Sequence, residues 1–308
     1  MPDSPASPAS PYRGRFAPSP TGDLHMGSLV AAVASYMEAK VRGGEWLLRV
    51  EDLDPPREVP GSAERILFTL ERFGFEWDGQ VLYQSTRRAA YEEAVAALLA
   101  SRDAFPCACT RATIAKTATR SGPEGPVYPG TCRNGVPSGH DARAIRLRVP
   151  GRTLCFEDAL QGRICQDPGL DVGDFVIRRA DGFFAYQLAV VVDDAWQGVT
   201  HVVRGADLLL STPRQIWVQD RLGLPIPGYL HIPLLLDEEG RKLSKQAHSL
   251  PVDPSRPSAA LFDALRLLHQ SPPPALANAG IDEVWEWGAQ HWEIERLRGL
   301  DRLAIPGI

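Results

Sequence analysis

The chain has 308 residues, 44% of them hydrophobic, and a formal net charge of −5. That size and apolar content allow a full core in one large or two modest domains, and exclude a disordered, collagen-like or disulfide-stapled polypeptide. The acidic balance excludes a generally basic nucleic-acid coat, so any nucleic-acid contact must be a local patch.

Residues 1–12 are rich in Pro, Ser and Ala and read as a disordered tail without the basic and apolar regions of an export signal. No uncharged apolar run reaches the ~18 residues of a membrane-spanning helix. Five cysteines in a chain without an export signal point to metal ligands or buried thiols, not to a disulfide framework, and to the cytoplasm.

Residues 13–17 are strand-like and run into a Pro/Gly cluster, PSPTGDL. From Gly27 the apolar spacing is helical and ends at Gly43-Gly44. Residues 46–50 form a strand whose single polar member, Arg49, fits a buried parallel position. Residues 62–73 and 89–100 are helical. This β–loop–α–β–α opening predicts an α/β fold: a doubly wound, Rossmann-like parallel sheet with right-handed crossovers, built from residues 13–104 and 141–250. Residues 105–140, rich in Pro, Gly, Thr and Cys, interrupt it as an inserted module. Strands at 144–149, 175–179, 200–204 and 231–236 and helices at 185–196 and 208–222 resume the pattern. Residues 251–308 form a short helical C-terminal region.

The strongest chemical signal is RFAPSPTGDLHMGS, residues 15–28. A strand ends, a loop follows and a helix begins. That places backbone N–H groups and the positive end of a helix dipole at the carboxyl edge of a sheet, a natural phosphate site. Gly27 would admit a ligand close to the backbone, and His25 would donate to a phosphate. A second motif, Lys242-Leu243-Ser244-Lys245-Gln246, lies in a polar loop after a strand and holds half of the chain's four lysines, against 29 arginines. Such a bias suits compact ammonium charges.

These two strings resemble the signatures of class I aminoacyl-tRNA synthetases, in the glutamyl branch. HMGS stands at the His-Ile-Gly-His-type motif, with Ser28 in place of the last histidine, and KLSKQ stands at Lys-Met-Ser-Lys-Ser, with Gln246 departing. The resemblance covers residues 13–250. It implies that His25, Lys242 and Lys245 are catalytic, and that His25, Gly27, Ser28 and Lys245 bind ATP, which brings Mg²⁺. The two ammonium groups would neutralise charge on a leaving pyrophosphate. It further implies an L-glutamate pocket lined by Arg15, Ala17, Ser19, Glu51, Tyr186 and Arg204. Read from the residues alone, Arg15, Glu51 and Arg204 each end a strand, near the edge where ligands of open α/β sheets bind. Glutamate needs an acid for its ammonium and cations for its two carboxylates.

Cys107, Cys109 and Cys132 in the insertion suggest a structural zinc site, one per chain. The resemblance nominates Tyr128 as fourth ligand, and His140 is the chemical competitor. Cys155 and Cys165 read as ordinary small buried residues. Residues 251–308 are few for a helical anticodon-binding domain. With the cysteine module, that shortness resembles the glutamyl-queuosine tRNA(Asp) synthetases. Membership there implies glutamate activation without tRNA and transfer to queuosine in the anticodon of tRNA(Asp), by a monomer. The alternatives are a truncated glutamyl-tRNA synthetase charging a tRNA 3′ end, another nucleotidylyl transferase of the same fold, and a catalytically silent tRNA-binding paralogue.

Overall fold

The computed structural model of the chain describes residues 11–236, 251–300 and 302–304. Its elements, in chain order, are β1 (Arg13–Phe16), α1 (Met26–Lys40), β2 (Glu45–Val50), α2 (Ser62–Arg72), β3 (Leu82–Tyr83) and α3 (Arg88–Ala100). Next come β4 (Ala104–Cys107), α4 (Arg111–Thr117), β5 (Ser121–Gly122), β6 (Gly125–Pro126), β7 (Ala144–Leu147), β8 (Leu154–Asp158) and β9 (Gly162–Gln166). They are followed by α5 (Pro168–Asp171), β10 (Phe175–Arg178), α6 (Tyr186–Trp196), β11 (His201–Gly205), α7 (Thr212–Leu222), β12 (Gly228–Ile232) and β13 (Leu234–Leu236). The last are α8 (Pro257–Leu267), α9 (Ile281–His291) and β14 (Arg302–Ala304). No described helix is long and apolar enough to cross a membrane.

Helix α1 is apolar on nearly every side, which makes it a core helix. Leu29, Val30 and all residues from Ala32 to Ala39 are buried. It packs on β1, β2 and β11 and is covered by α8. Strands β1, β2 and β3 run parallel in the order β1–β2–β3. A second group has the order β11–β12–β8–β9, with β11, β12 and β8 parallel. The Thr200 N–H donates to the Arg13 carbonyl at 2.9 Å and the Arg13 N–H to the Thr200 hydroxyl at 2.8 Å, stitching β1 to the start of β11. Strand order therefore reverses between β1 and β11, and such a switch opens a crevice at the carboxyl ends of the strands.

Three features depart from the sequence reading. First, the strands at 144–149 and 175–179 do not join the parallel sheet. They pair antiparallel with β4 in a separate sheet, β10–β7–β4. Cys107 is opposite Ala144, so the insertion leaves and returns at one point. Second, residues 154–166 form the β8–β9 hairpin, and Cys155 and Cys165 face each other across it as a disulfide. They are neither buried nor free thiols. Alternation along the hairpin buries Leu154, Asp158 and Gln166 and turns both cysteines outward. Third, Tyr12, read as the end of a tail, is buried and stacks on His201 with ring centroids 4.2 Å apart. Residues 1–10 lie outside the described residues.

The C-terminal region docks through aromatics. The Trp285 ring meets Tyr36 and Phe75 at centroid distances of 4.9 and 5.0 Å, and its indole N–H donates to the Phe73 carbonyl at 2.9 Å. Strand β14 adds in parallel to β13. Trp285→Ala removes the ring contacts and leaves that carbonyl without its donor. We expect a loss of about 3 kcal/mol in unfolding free energy, read from urea denaturation.

Candidate active site

At the switch point lies a cavity of about 840 Å³, walled by the carboxyl ends of β1, β2, β11 and β12 and by the start of α1. Arg15, Ala17, Ser19, His25, Gly27, Ser28, Glu51, Tyr186 and Arg204 all line it. The residues singled out between positions 15 and 51 and those at 186 and 204 thus meet in one place. Residues 242–246 lie outside the described residues. The chain that carries them leaves from β13 and re-enters at Pro251. Leu234, Leu235 and Pro251 line the cavity, and the Val252 N–H donates to the Leu24 carbonyl at 2.9 Å.

Arg15, which lines the cavity, shares a buried carboxylate with Arg49. Arg15 Nε lies 3.1 Å from Asp194 Oδ1, and Arg49 Nη1 lies 2.8 Å from the same oxygen. Arg49 Nη2 lies 3.5 Å from Glu51 Oε1. Two cations and two anions are thus buried together, which offsets most of the cost of taking each from water. Burial raises the Asp194 carboxyl, but the charges of Arg15 and Arg49 outweigh it and hold the group below its ordinary value. Glu51 goes the other way. Burial pushes it up, and Arg49 and Arg15 only partly oppose that.

Arg204 is held by a fork of acceptors. Nε donates to His231 Nε2 at 3.0 Å, and Nη2 donates to Thr212 Oγ1 at 2.9 Å and Gln215 Oε1 at 2.8 Å. Nη1 reaches the Tyr186 hydroxyl at 3.3 Å. Tyr186 opens α6, only partly buried, at the cavity wall.

The opposite wall is built for anions. His25 caps α1 in extended backbone geometry, its Nδ1 accepting from the Ser28 N–H at 3.2 Å, while Ser28 Oγ lies 3.1 Å from His25 Nε2. No acidic residue occupies the first turn, so no carboxylate within the helix offsets the positive end of its dipole. A Cβ on Gly27 would stand 3.2 Å from the His25 ring, so glycine leaves that ring its room.

In the inserted module the sulfur atoms of Cys107, Cys109 and Cys132 lie within 4.8 Å of one another. Burial raises the Cys107 thiol, but hydrogen bonds with Tyr128, the Cys109 backbone and Arg146 bring it below its ordinary value. The Tyr128 hydroxyl sits 3.5 Å from Cys107 Sγ and accepts from the Cys132 N–H at 2.8 Å. His140 is exposed, its Nδ1 3.2 Å from the Ser138 carbonyl. Phe105, Ile114 and Tyr128 join the two buried cysteines in a small core of the module's own.

The buried residues that support the lining side chains are less legible in the sequence. Arg49 read as a lone polar residue in a buried strand. Asp194 sits in the apolar run VVVDDAW, where a buried acid is itself a signal of a cationic partner. Thr212, Gln215, His231 and Asp158 carry no local signature.

Residues 12–273 match the catalytic domain of class I tRNA synthetases (E and Q), which sets the class of protein. A glutamyl-Q tRNA(Asp) synthetase from Dechloromonas aromatica is 55% identical over 298 residues, covering 96% of this chain and 99% of its own. One from Chromobacterium violaceum is 58% identical over 287 residues, covering 93% and 95%. The chain belongs to the family of glutamyl-Q tRNA(Asp) synthetases. The crystal structure of a glutamate-tRNA synthetase from Elizabethkingia anophelis shares the fold, with a TM-score of 0.78 at 24% identity, over 97% of this chain and 68% of that one.

Asp194→Asn would leave Arg15 and Arg49 buried with one anion between them. The expected cost is about 3–5 kcal/mol of stability, measured by urea denaturation at neutral pH. Because the folded Asp194 carboxyl lies below its unfolded value, its contribution is full above the unfolded pKa. It fades as pH falls through the folded one, so the wild-type advantage over the variant should shrink in acid.

Proposed function

We propose that the chain uses ATP to convert L-glutamate into glutamyl-adenylate without tRNA, and then passes the glutamyl group to queuosine in the anticodon of tRNA(Asp). The observation that carries this reading is the meeting of Arg15, Glu51 and Arg204 in one cavity with the amino end of α1. Glu51 suits the substrate ammonium, and the guanidinium groups suit its carboxylates. The names of the relatives agree with the same acceptor.

In the first step an oxygen of the α-carboxylate attacks the α-phosphorus of ATP. The bond to the bridging oxygen breaks, and pyrophosphate leaves. No enzyme nucleophile is needed, since the carboxylate is already ionised. His25 and the α1 amino end would stabilise charge on the phosphates, and Lys242 and Lys245 charge on the leaving group. In the second step a hydroxyl of the queuosine cyclopentene ring attacks the acyl carbon, AMP departs with its bonding electrons, and the hydroxyl proton is lost to solvent. A splayed base in a single-stranded loop can enter a cavity of this kind.

The test is ATP–pyrophosphate exchange across the amino acids without tRNA, followed by charging of tRNA(Asp) from cells with and without queuosine synthesis. Exchange specific to glutamate, and label only on queuosine-bearing tRNA(Asp), are expected. Equal labelling of both samples, or preference for tRNA(Glu), would overturn the acceptor. Lys245→Ala should lower exchange by about 10²–10³-fold in a folded protein.

The donor set of the insertion fits zinc. Cys107, Cys109 and Cys132 would hold it with the Tyr128 hydroxyl, which stands beside Cys107, and the ion would lend the module structural order. About one zinc per chain is expected in protein made without a metal-binding tag. Chelation should lower the melting temperature, and metal analysis with a thermal melt checks both.

A further inference from the structure

We propose that Asp158 and His231 are positioning residues for Arg204: they hold its guanidinium in the cavity through a relay that requires the His231 proton on Nδ1. The proposal rests on the reading of the cavity as an amino-acid site, and extends it to residues that touch no substrate.

The relay runs across three strands. Arg204 on β11 is the register partner of His231 on β12, and Tyr229, two residues earlier on β12, is the register partner of Asp158 on β8. Arg204 Nε lies 3.0 Å from His231 Nε2, and His231 Nδ1 lies 2.6 Å from Asp158 Oδ2. A guanidinium can only donate and a carboxylate can only accept. Nε2 must therefore be the bare nitrogen and Nδ1 the protonated one, which fixes a neutral imidazole in one tautomer. Both side chains are fully buried, so water cannot substitute for either partner. Burial and the Arg204 charge lower the histidine against the pull of Asp158, in keeping with the neutral ring.

Each end of the relay is anchored. Asp158 Oδ1 accepts from the backbone N–H groups of Leu160, Gln161 and His231 at 3.1, 2.9 and 3.2 Å, so the hairpin turn fixes the carboxylate. At the other end, Thr212 and Gln215 take Nη2. With Nε and Nη2 committed, Nη1 is the nitrogen through which Arg204 meets a ligand carboxylate, beside the Tyr186 hydroxyl. Loss of the His231 acceptor would leave the buried Nε–H unpaired and the guanidinium held through Nη1 and Nη2 alone, so that its orientation in the cavity shifts.

The variants separate positioning from bulk. Asp158→Asn keeps Oδ1 for the three backbone donors but puts an NH₂ against Nδ1. That drives the imidazole proton to Nε2, where it opposes the Arg204 N–H. His231→Gln retains an oxygen able to accept from Arg204, and His231→Leu does not. The assay is tRNA-free ATP–pyrophosphate exchange with wild type and the three variants, each checked by circular dichroism.

We expect Asp158→Asn and His231→Leu to raise the KM for glutamate about tenfold or more, with the KM for ATP within about twofold of wild type. His231→Gln should fall nearer wild type than His231→Leu. Equal rises in both KM values, or a His231→Gln protein no better than His231→Leu, would overturn the relay. If Asp158→Asn fails to fold, the comparison at 231 decides alone. A wild-type protein that shows no glutamate-dependent exchange overturns the reading of the cavity itself, and does so before any variant is made.

Discussion

Cations buried inside a sheet are the constraint around which this molecule is arranged. Arg15, Arg49 and Arg204 are almost wholly removed from water, and a guanidinium cannot shed its charge there. Each must be met by acceptors brought from distant parts of the chain. Asp194 on α6 serves two of them, and Arg204 draws on β12 and α7. The helices on that side of the sheet are thereby tied to the strand ends in one register. Charge balance, not apolar contact alone, specifies how the two groups of strands come together.

The two walls of the cavity follow different physics. On the side of Arg15 the cavity is backed by compensated charges, with Asp194 between Arg15 and Arg49, buried where screening is weak. At the amino end of α1 the lining is His25, Gly27 and Ser28, where an anion would meet backbone N–H groups and the positive end of a dipole. Residues 206–211, a short 3₁₀ turn between β11 and α7, contribute Asp207 and Leu208 to the lining.

What the sequence disclosed depended on range. Strand, loop and helix from Arg13 to Lys40 follow from local punctuation and apolar spacing, and so did the placing of His25 and Gly27 at a helix start. The positions of Glu51 and Arg204 at strand ends were legible in the sequence. The antiparallel sheet, the β8–β9 hairpin and the Cys155–Cys165 bond were not. LCFED and GRICQ mix polar and apolar residues in strands too short to show their period, and pairing across a turn is a matter of register. Asp158 and His231 are separated by 73 residues and joined by two hydrogen bonds, one to the imidazole and one to the backbone N–H, a relation that no local pattern encodes.

Both ends of the segment bearing Lys242 and Lys245 are fastened at the cavity. Before it, β13 is paired with β14, and after it, Pro251 and Val252 are pinned against Leu24 and His25. Pro251 and Val252 also lead into α8, which covers α1, so the helix whose amino end lines the cavity is held by the same stretch of chain at both its start and its flank.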